Sequence, residues 1–307
     1  MSQISMKLGG YQGAKSVHTR ALARFADAVE AALGDRAALQ RVFDVTAHGE
    51  TARSLFDGLE TGAYTAGYMA SGYLTARIAA LGVADLPFAV ADRHAAYAAL
   101  DGAVGEMLSR DLEAGTGLKL LGFWDNGFRH VSNSVRPIRT RADCEGLVVR
   151  TLDNRIYQET MAAMGFTPVV TDVRELKAAV AEGRVHAQEN PLANVMAFDL
   201  QQHHRHVSLT GHLFGLALLV CNRAWFDALD AAARDAVLAA AADATASQRR
   251  SAEEQDATAI AALTGEGIAI LAPGDIDLAG FRAACAPIVD AETARLDPAL
   301  VRGYLGG

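Results

Sequence analysis

The chain predicts a two-lobed α/β protein, and three observations carry that expectation. It has 307 residues, more than one ordinary hydrophobic core accommodates. Short apolar runs alternate with helical periodicity along nearly its whole length, the pattern of βαβ units. No low-complexity linker and no repeat of fixed period interrupts it, so two lobes joined by crossing strands fit better than two beads on a string. The expected lobes are residues 1–123 with 212–250, and residues 124–211 with 251–307.

Taken in order, residues 3–8 alternate in character and read as a strand, followed by the loop Gly9-Gly10-Tyr11-Gln12-Gly13. A helix from about Ser16 to Leu33 places Val17, Ala21, Phe25, Ala28, Val29 and Leu33 on one face. Strands over 41–45 and 63–69 flank a helix opened by His48-Gly49-Glu50-Thr51, a βαβαβ rhythm that implies a parallel sheet. Asp92 is the expected N-cap of one helix reaching about Leu112. The segment 118–123 is an apolar strand. Beyond it, strands at 128–133, 147–150, 168–170 and 184–187 alternate with helices near 154–164 and 172–182. Strands at 207–210 and 213–221 lead to a long Ala-rich helical segment over 231–262, either one very long helix or two with a bend. A late strand at 268–271 and a final helix over 278–296 close the chain.

The composition is that of a folded globular chain, 51% hydrophobic and 21% charged. With 28 basic against 36 acidic residues the formal charge is −8. That argues against nucleic acid as a partner, yet leaves room for a small anion, because a local arginine pair outweighs distant, screened acids. No apolar run is long enough to span a bilayer, and Met1–Gly10 lacks a signal-peptide pattern. The cysteines, Cys144, Cys221 and Cys285, are odd in number and far apart without CxxC spacing, so they allow at most one bridge and read as buried thiols.

Two arginines draw attention. Arg129 follows Gly127-Phe128 at the expected start of a strand, and Arg150 ends the run Leu147-Val148-Val149. In doubly wound sheets the carboxyl ends of strands face the ligand crevice, and a guanidinium there suits a carboxylate. The plain alternative for each is a salt bridge, to Asp153 or Glu189. Asn190, before Pro191, offers an amide at a helix N-terminus or serves simply as its cap. Tyr11, Tyr64, Tyr68, Tyr73, Trp124 and Phe214 fall near strand ends, where they line a pocket or fill the core, with Tyr11, Tyr68 and Trp124 expected nearest the crevice. His203, His204 and His206 lack the spacing of a metal site and read as a solvated turn. The Gly9–Gly13 loop does not match GxGxxG, and GxxxxGK[ST], GxSxG and HExxH do not occur. No cofactor and no catalytic residue is expected.

The segments FADAVEAALGDR, DLPFAVADRHAAYAALDG, GLKLLGFWDNGFRHVSNSVRPIRTRADCEGLVVR, MAAMGFTPVVTDVRELKAAVAEGRVHAQENP and LTGHLF together resemble the DctP-like solute-binding proteins of tripartite ATP-independent periplasmic (TRAP) transporters. The resemblance runs nearly end to end. It implies a type II periplasmic-binding-protein-like fold, with a long helix spanning both lobes and a hinged ligand cleft. It also implies a periplasmic location, a small organic acid as ligand, with hydroxy and keto acids the expected classes, and TRAP membrane subunits as partners. Arg150 would take the ligand carboxylate, supported by Arg129 and Asn190. Trp124, Tyr11, His48, Tyr68, Ser71, Asp153 and Phe214 complete the expected binding set. Departures at His186-Ala187, Val173 and Leu147-Val148 leave that clamp intact. A sensory binding module and a two-lobed enzyme acting on a carboxylate are the rival readings.

Overall fold

The computed structural model describes residues 3–306. The chain forms two compact units. The first takes the residues up to Ala70, Leu108–Asp125 and Leu216–Glu253; the second takes Ser71–Met107, Asn126–Gly215 and the residues from Glu254 onward.

In the first unit, β1 (Ile4–Gly9) pairs in parallel with β2 (Ala37–Val42), Ile4 opposite Ala37, and with β3 (Ala66–Ala70), Leu8 opposite Ala66. This is the expected parallel start. The sheet then turns antiparallel, because β3 pairs with the C-terminal half of β8 (His206–Asn222), Ala66 opposite Cys221. Helix α1 (Val17–Leu33) is started by Ser16, whose hydroxyl accepts from the His18 and Thr19 amides. It buries Val17, Ala21, Phe25, Val29 and Leu33 at helical spacing. Helix α2 (Ala52–Thr61) begins at a reciprocal Thr51–Ser54 capping box and ends at Gly62, in the left-handed region at φ 82°. A Cβ built on Gly67, the second residue of β3, would lie 2.4 Å from the Gly9 carbonyl oxygen. Gly67→Ala is therefore expected to cost about 1–3 kcal/mol in urea unfolding, since backbone cannot yield as a side chain does.

In the second unit the strands run in the order β4 (Leu118–Asn133), β7 (Ala187–Asn190), β5 (Val148–Thr151), β6 (Thr167–Val170). β4 and β7 are antiparallel, Val131 opposite Glu189; β5 is parallel to both β6 and β7, Arg150 opposite Val169 and Gln188. The crossovers are α5 (Arg155–Ala163) and α6 (Val173–Ala181), capped by Asn154 and Asp172. β9 (Ala269–Leu271) pairs in parallel with the start of β8. One core layer gathers Val131, Ile138, Val149, Met161, Phe166 and Phe281; another gathers Leu176, Val195, Leu209 and Leu263.

Several expectations need correction. Residues 92–112 are two helices, α3 (Arg93–Leu100) and α4 (Ala103–Gly115), parted at Asp101-Gly102. The 118–123 and 128–133 strands are one strand, β4, as are 207–210 and 213–221 in β8. Residues 188–190 are strand, and Pro191 rather than Asn190 caps α7 (Leu192–Ala197). After β8 come α8 (Arg223–Asp227), then α9 (Ala231–Gly265), a single unbroken helix that begins in the first unit's segment and ends in the second's. Its alanine content favours helix throughout. The last helix is two, α10 (Leu278–Thr293) and α11 (Pro298–Leu305). Ser71–Met107, expected in the first lobe, groups with the second unit, because α11 packs on α3 and on the 3₁₀ segment Ala79–Asp85.

Candidate functional site

Strand alternation creates the site in the second unit. Residues facing each other across β4 and β7 share a sheet face, so Arg129, two residues before Val131, projects beside Glu189. Its Nε and one Nη donate to the two Glu189 carboxylate oxygens, the latter at 2.9 Å. The same Nη2 reaches the Glu189 carbonyl at 2.7 Å and Asn190 Oδ1 at 3.1 Å. The Tyr157 ring lies under the guanidinium, 5.2 Å from its centroid. The pair is fully buried, with side-chain exposures of 2% and 0%. Burial opposes both charges, yet each partner's field wins: Glu189 is held at about 2, and Arg129 stays protonated. Burial keeps His212, whose Nε2 sits 3.6 Å from Glu189, in its neutral form. Arg129 thus takes the salt bridge to Glu189 that the plain alternative allowed.

Arg150 has the opposite environment. It stands one residue before the end of β5, 2% exposed. Its Nε donates to the Thr171 carbonyl at 2.8 Å, and its guanidinium hydrogen-bonds the Tyr73 hydroxyl. Its Nη2 is buried without a partner, and among the described residues no acid forms an ion pair with it. A buried cation with a spare donor is costly to maintain, and its natural complement is an anion.

A second polar knot lies behind Tyr157. Asp85 accepts from Thr75 Oγ1 at 2.6 Å, from Asn154 Nδ2 at 2.7 Å, and from the Tyr157 hydroxyl. Asn154 also donates to the Gly72 carbonyl, fixing the Ser71–Tyr73 turn that carries Tyr73 to Arg150. Burial pushes the Asp85 carboxyl up to about 6 despite these donors. The folded state therefore holds that proton more tightly than the unfolded chain. The stability it contributes is complete below about pH 4 and is lost as pH rises through about 6, roughly 3 kcal/mol at most. Asp85→Asn removes this dependence. Its melting temperature relative to wild type should improve between pH 4 and pH 7; a constant difference across that range would contradict the assignment.

Asn190 does not stand free at a helix end. Its Oδ1 accepts from Arg129, and its Nδ2 donates to Gln188, which donates to Ser132, which meets His204 Nδ1 at 2.9 Å. His204 is 1% exposed and held neutral by burial. The solvated-turn reading fails for it, because the turn folds back beneath β4.

The remaining expected residues distribute unevenly. Tyr11, Tyr68 and Trp124 are buried together in the first unit, with Tyr11–Tyr68 centroids 5.3 Å and Tyr68–Trp124 centroids 5.9 Å apart. Their polar tips are engaged: the Tyr11 hydroxyl accepts from the Ala70 amide, Tyr68 bonds Thr19, and Trp124 donates to Thr245. His48 is exposed on the 3₁₀ turn Val45–His48 of that unit. Ser71 is buried in the second unit, at the head of the turn bearing Tyr73. Phe214 packs on Phe128, 5.0 Å between centroids. Asp153 is exposed and pairs with neither arginine. Sequence reasoning missed Asp85, Tyr157 and His212, grouped Tyr73 with the strand-end aromatics without placing it at the crevice, and named Glu189 only as a rival partner. The Gln-Glu-Asn run held a usable signal, since strand alternation turns Glu189 toward Arg129.

Arg150 is thus a buried arginine against which no acid forms an ion pair among the described residues. The chain belongs to the DctP family, bacterial extracellular solute-binding protein family 7, whose family model matches residues 8–295. It is 31% identical over 287 residues to a solute-binding protein of Verminephrobacter eiseniae, covering 94% of this chain and 84% of that one. A TRAP periplasmic solute-binding protein of a Polaromonas species, bound to D-erythronate, superposes with a TM-score of 0.92 at 28% identity, covering 99% and 98% of the two chains. One from Bordetella, with density interpreted as pantoate, gives 0.91 at 27% identity and 99% coverage of each. The two-unit mixed α/β architecture is thus that of TRAP solute-binding proteins. No helix among the described residues is long and apolar enough to cross a membrane.

Proposed function

We propose that this solute-binding protein captures a small organic acid by its carboxylate at Arg150 and delivers it, in the periplasm, to TRAP membrane subunits. The observation that carries the reading is the buried Arg150 Nη2, which has no partner and faces no acid. A carboxylate there completes the guanidinium fork. Tyr73, which already meets Arg150, borders the same position. Arg129 and Asn190 support it as a rigid, already neutralised frame rather than as free donors. D-erythronate and pantoate, in the two similar structures, are acids of this kind. The acid is released unchanged, without turnover.

The test is a thermal-shift screen of hydroxy and keto acids, followed by calorimetry and by NMR of the recovered ligand. A stabilising acid recovered intact supports the reading. A panel in which no acid stabilises the protein, or in which the acid is converted, rejects it.

A further inference from the structure

Asn154 stands at the junction of β5 and α5, and both ends of its side-chain amide are engaged. Its Oδ1 accepts from the Tyr157 amide at 3.1 Å and so starts α5. Its Nδ2 donates to the Gly72 carbonyl at 2.9 Å and to Asp85 Oδ2 at 2.7 Å, reaching residues 82 and 69 positions away. Asp85 Oδ2 also accepts from the Thr75 hydroxyl at 2.6 Å. The Ser71–Tyr73 turn is therefore tied twice, directly at Gly72 and through Asp85 at Thr75. It has little slack. A Cβ built on Gly72 would lie 3.3 Å from both Asn154 Nδ2 and Leu152 Cδ1, and Tyr73 packs against Leu152, Tyr157 and Leu213. The turn carries the Tyr73 hydroxyl to Arg150. A guanidinium only donates, so the Tyr73 oxygen accepts from it, as the Thr171 carbonyl accepts from Nε. These two acceptors set the plane of the guanidinium, and with it the direction of the unpartnered Nη2.

We propose that Asn154 is a positioning residue for ligand capture: by clamping the Ser71–Tyr73 turn to the start of α5, it holds the Tyr73 hydroxyl against Arg150 and aims the unpartnered guanidinium nitrogen. The inference rests on the reading of Arg150 as the carboxylate site. Asn154 acts through Tyr73 and not on the ligand itself, as a supporting hydrogen bond fixes the rotamer of a binding group.

Asn154→Ser tests this, because serine caps a helix as well as asparagine does but cannot make the two Nδ2 donations. The first readout needs no ligand. The Arg150 Nε–H resonance in the NMR spectrum, assigned by its absence from Arg150→Ala, should move in Asn154→Ser. In a Tyr73→Phe background the same substitution should leave it in place. The second readout is calorimetry with D-erythronate. Asn154→Ser should weaken binding about tenfold in the wild-type background, and by less than about twofold in the Tyr73→Phe background. A residue that merely supported the fold would weaken binding equally in both backgrounds, since independent effects add; that result overturns the inference. So does an Arg150 resonance that Asn154→Ser leaves unmoved. Thr75→Val releases the second tie without touching the cap, and gives the same test should Asn154→Ser fold poorly. D-erythronate binding that Arg150→Ala leaves unchanged defeats the carboxylate reading and the inference with it. Binding that Arg150→Ala abolishes and Asn154→Ser retains defeats the positioning role alone.

Discussion

Arg150→Ala should lose the ligand while keeping, or slightly gaining, stability in its absence. The loss of affinity is expected at about 2–5 kcal/mol, because the ligand carboxylate would be buried with its charged partner removed. The unliganded protein behaves differently. Wild type keeps a guanidinium 2% exposed, with one donor unsatisfied and no neutralising acid. Alanine relieves that desolvation, offset by the lost bonds to Thr171 and Tyr73. The two readouts therefore separate: the melting temperature without acid holds, while the acid-induced shift disappears. Arg150→Lys should fall between, since a point charge replaces a planar fork. A variant that melts far below wild type without ligand would show Arg150 to be a structural residue.

Glu189→Ala predicts the reverse signature. Here the arginine is already paired, so deleting the acid strands Arg129 in a site of 2% exposure. Breaking one side of a buried pair costs about 3–5 kcal/mol, and urea unfolding without any acid should register it. Replacing both partners, as Arg129→Met with Glu189→Leu, should recover most of that loss, because no lone charge remains. The pH dependence has a definite sign. Glu189 titrates at about 2 in the fold, against an ordinary value of 4.5. Its stabilisation is present above pH 4.5 and disappears as pH falls toward 2. Glu189→Ala should therefore be distinguished from wild type most strongly at neutral pH, and least in acid. Equal unfolding midpoints for the two proteins at pH 7 would refute the assignment.

These two arginines show what the sequence carried and what it withheld. Strand and helix order was legible because apolar periodicity and capping residues such as Ser16, Thr51 and Asn154 are local signals. The placement of Arg150 at a strand end was equally local. The difference between Arg150 and Arg129 was not, because it depends on the β4–β7 register, which brings residues 60 apart in sequence together. The partners of Asp85 and Tyr73 were invisible for a related reason. They sit on 3₁₀ turns without periodicity, and they reach Asn154 and Arg150 only through tertiary packing. Tyr11, Tyr68 and Trp124 looked like pocket residues at strand ends. In the first unit they form a mutually packed cluster with their polar tips satisfied.

The interleaving of the chain also governs the order in which the protein can be made. Each unit is assembled from three separated segments, and the first unit needs Leu216–Glu253. β3 must wait for the C-terminal half of β8, roughly 150 residues later, to cover its antiparallel edge. During synthesis neither core can close until most of the chain has emerged, so the nascent protein stays open and carries an unpaired strand edge for about half of its translation. Such a chain has little opportunity to lock prematurely, and it depends on completed synthesis, rather than on domain-by-domain docking, for its first stable state.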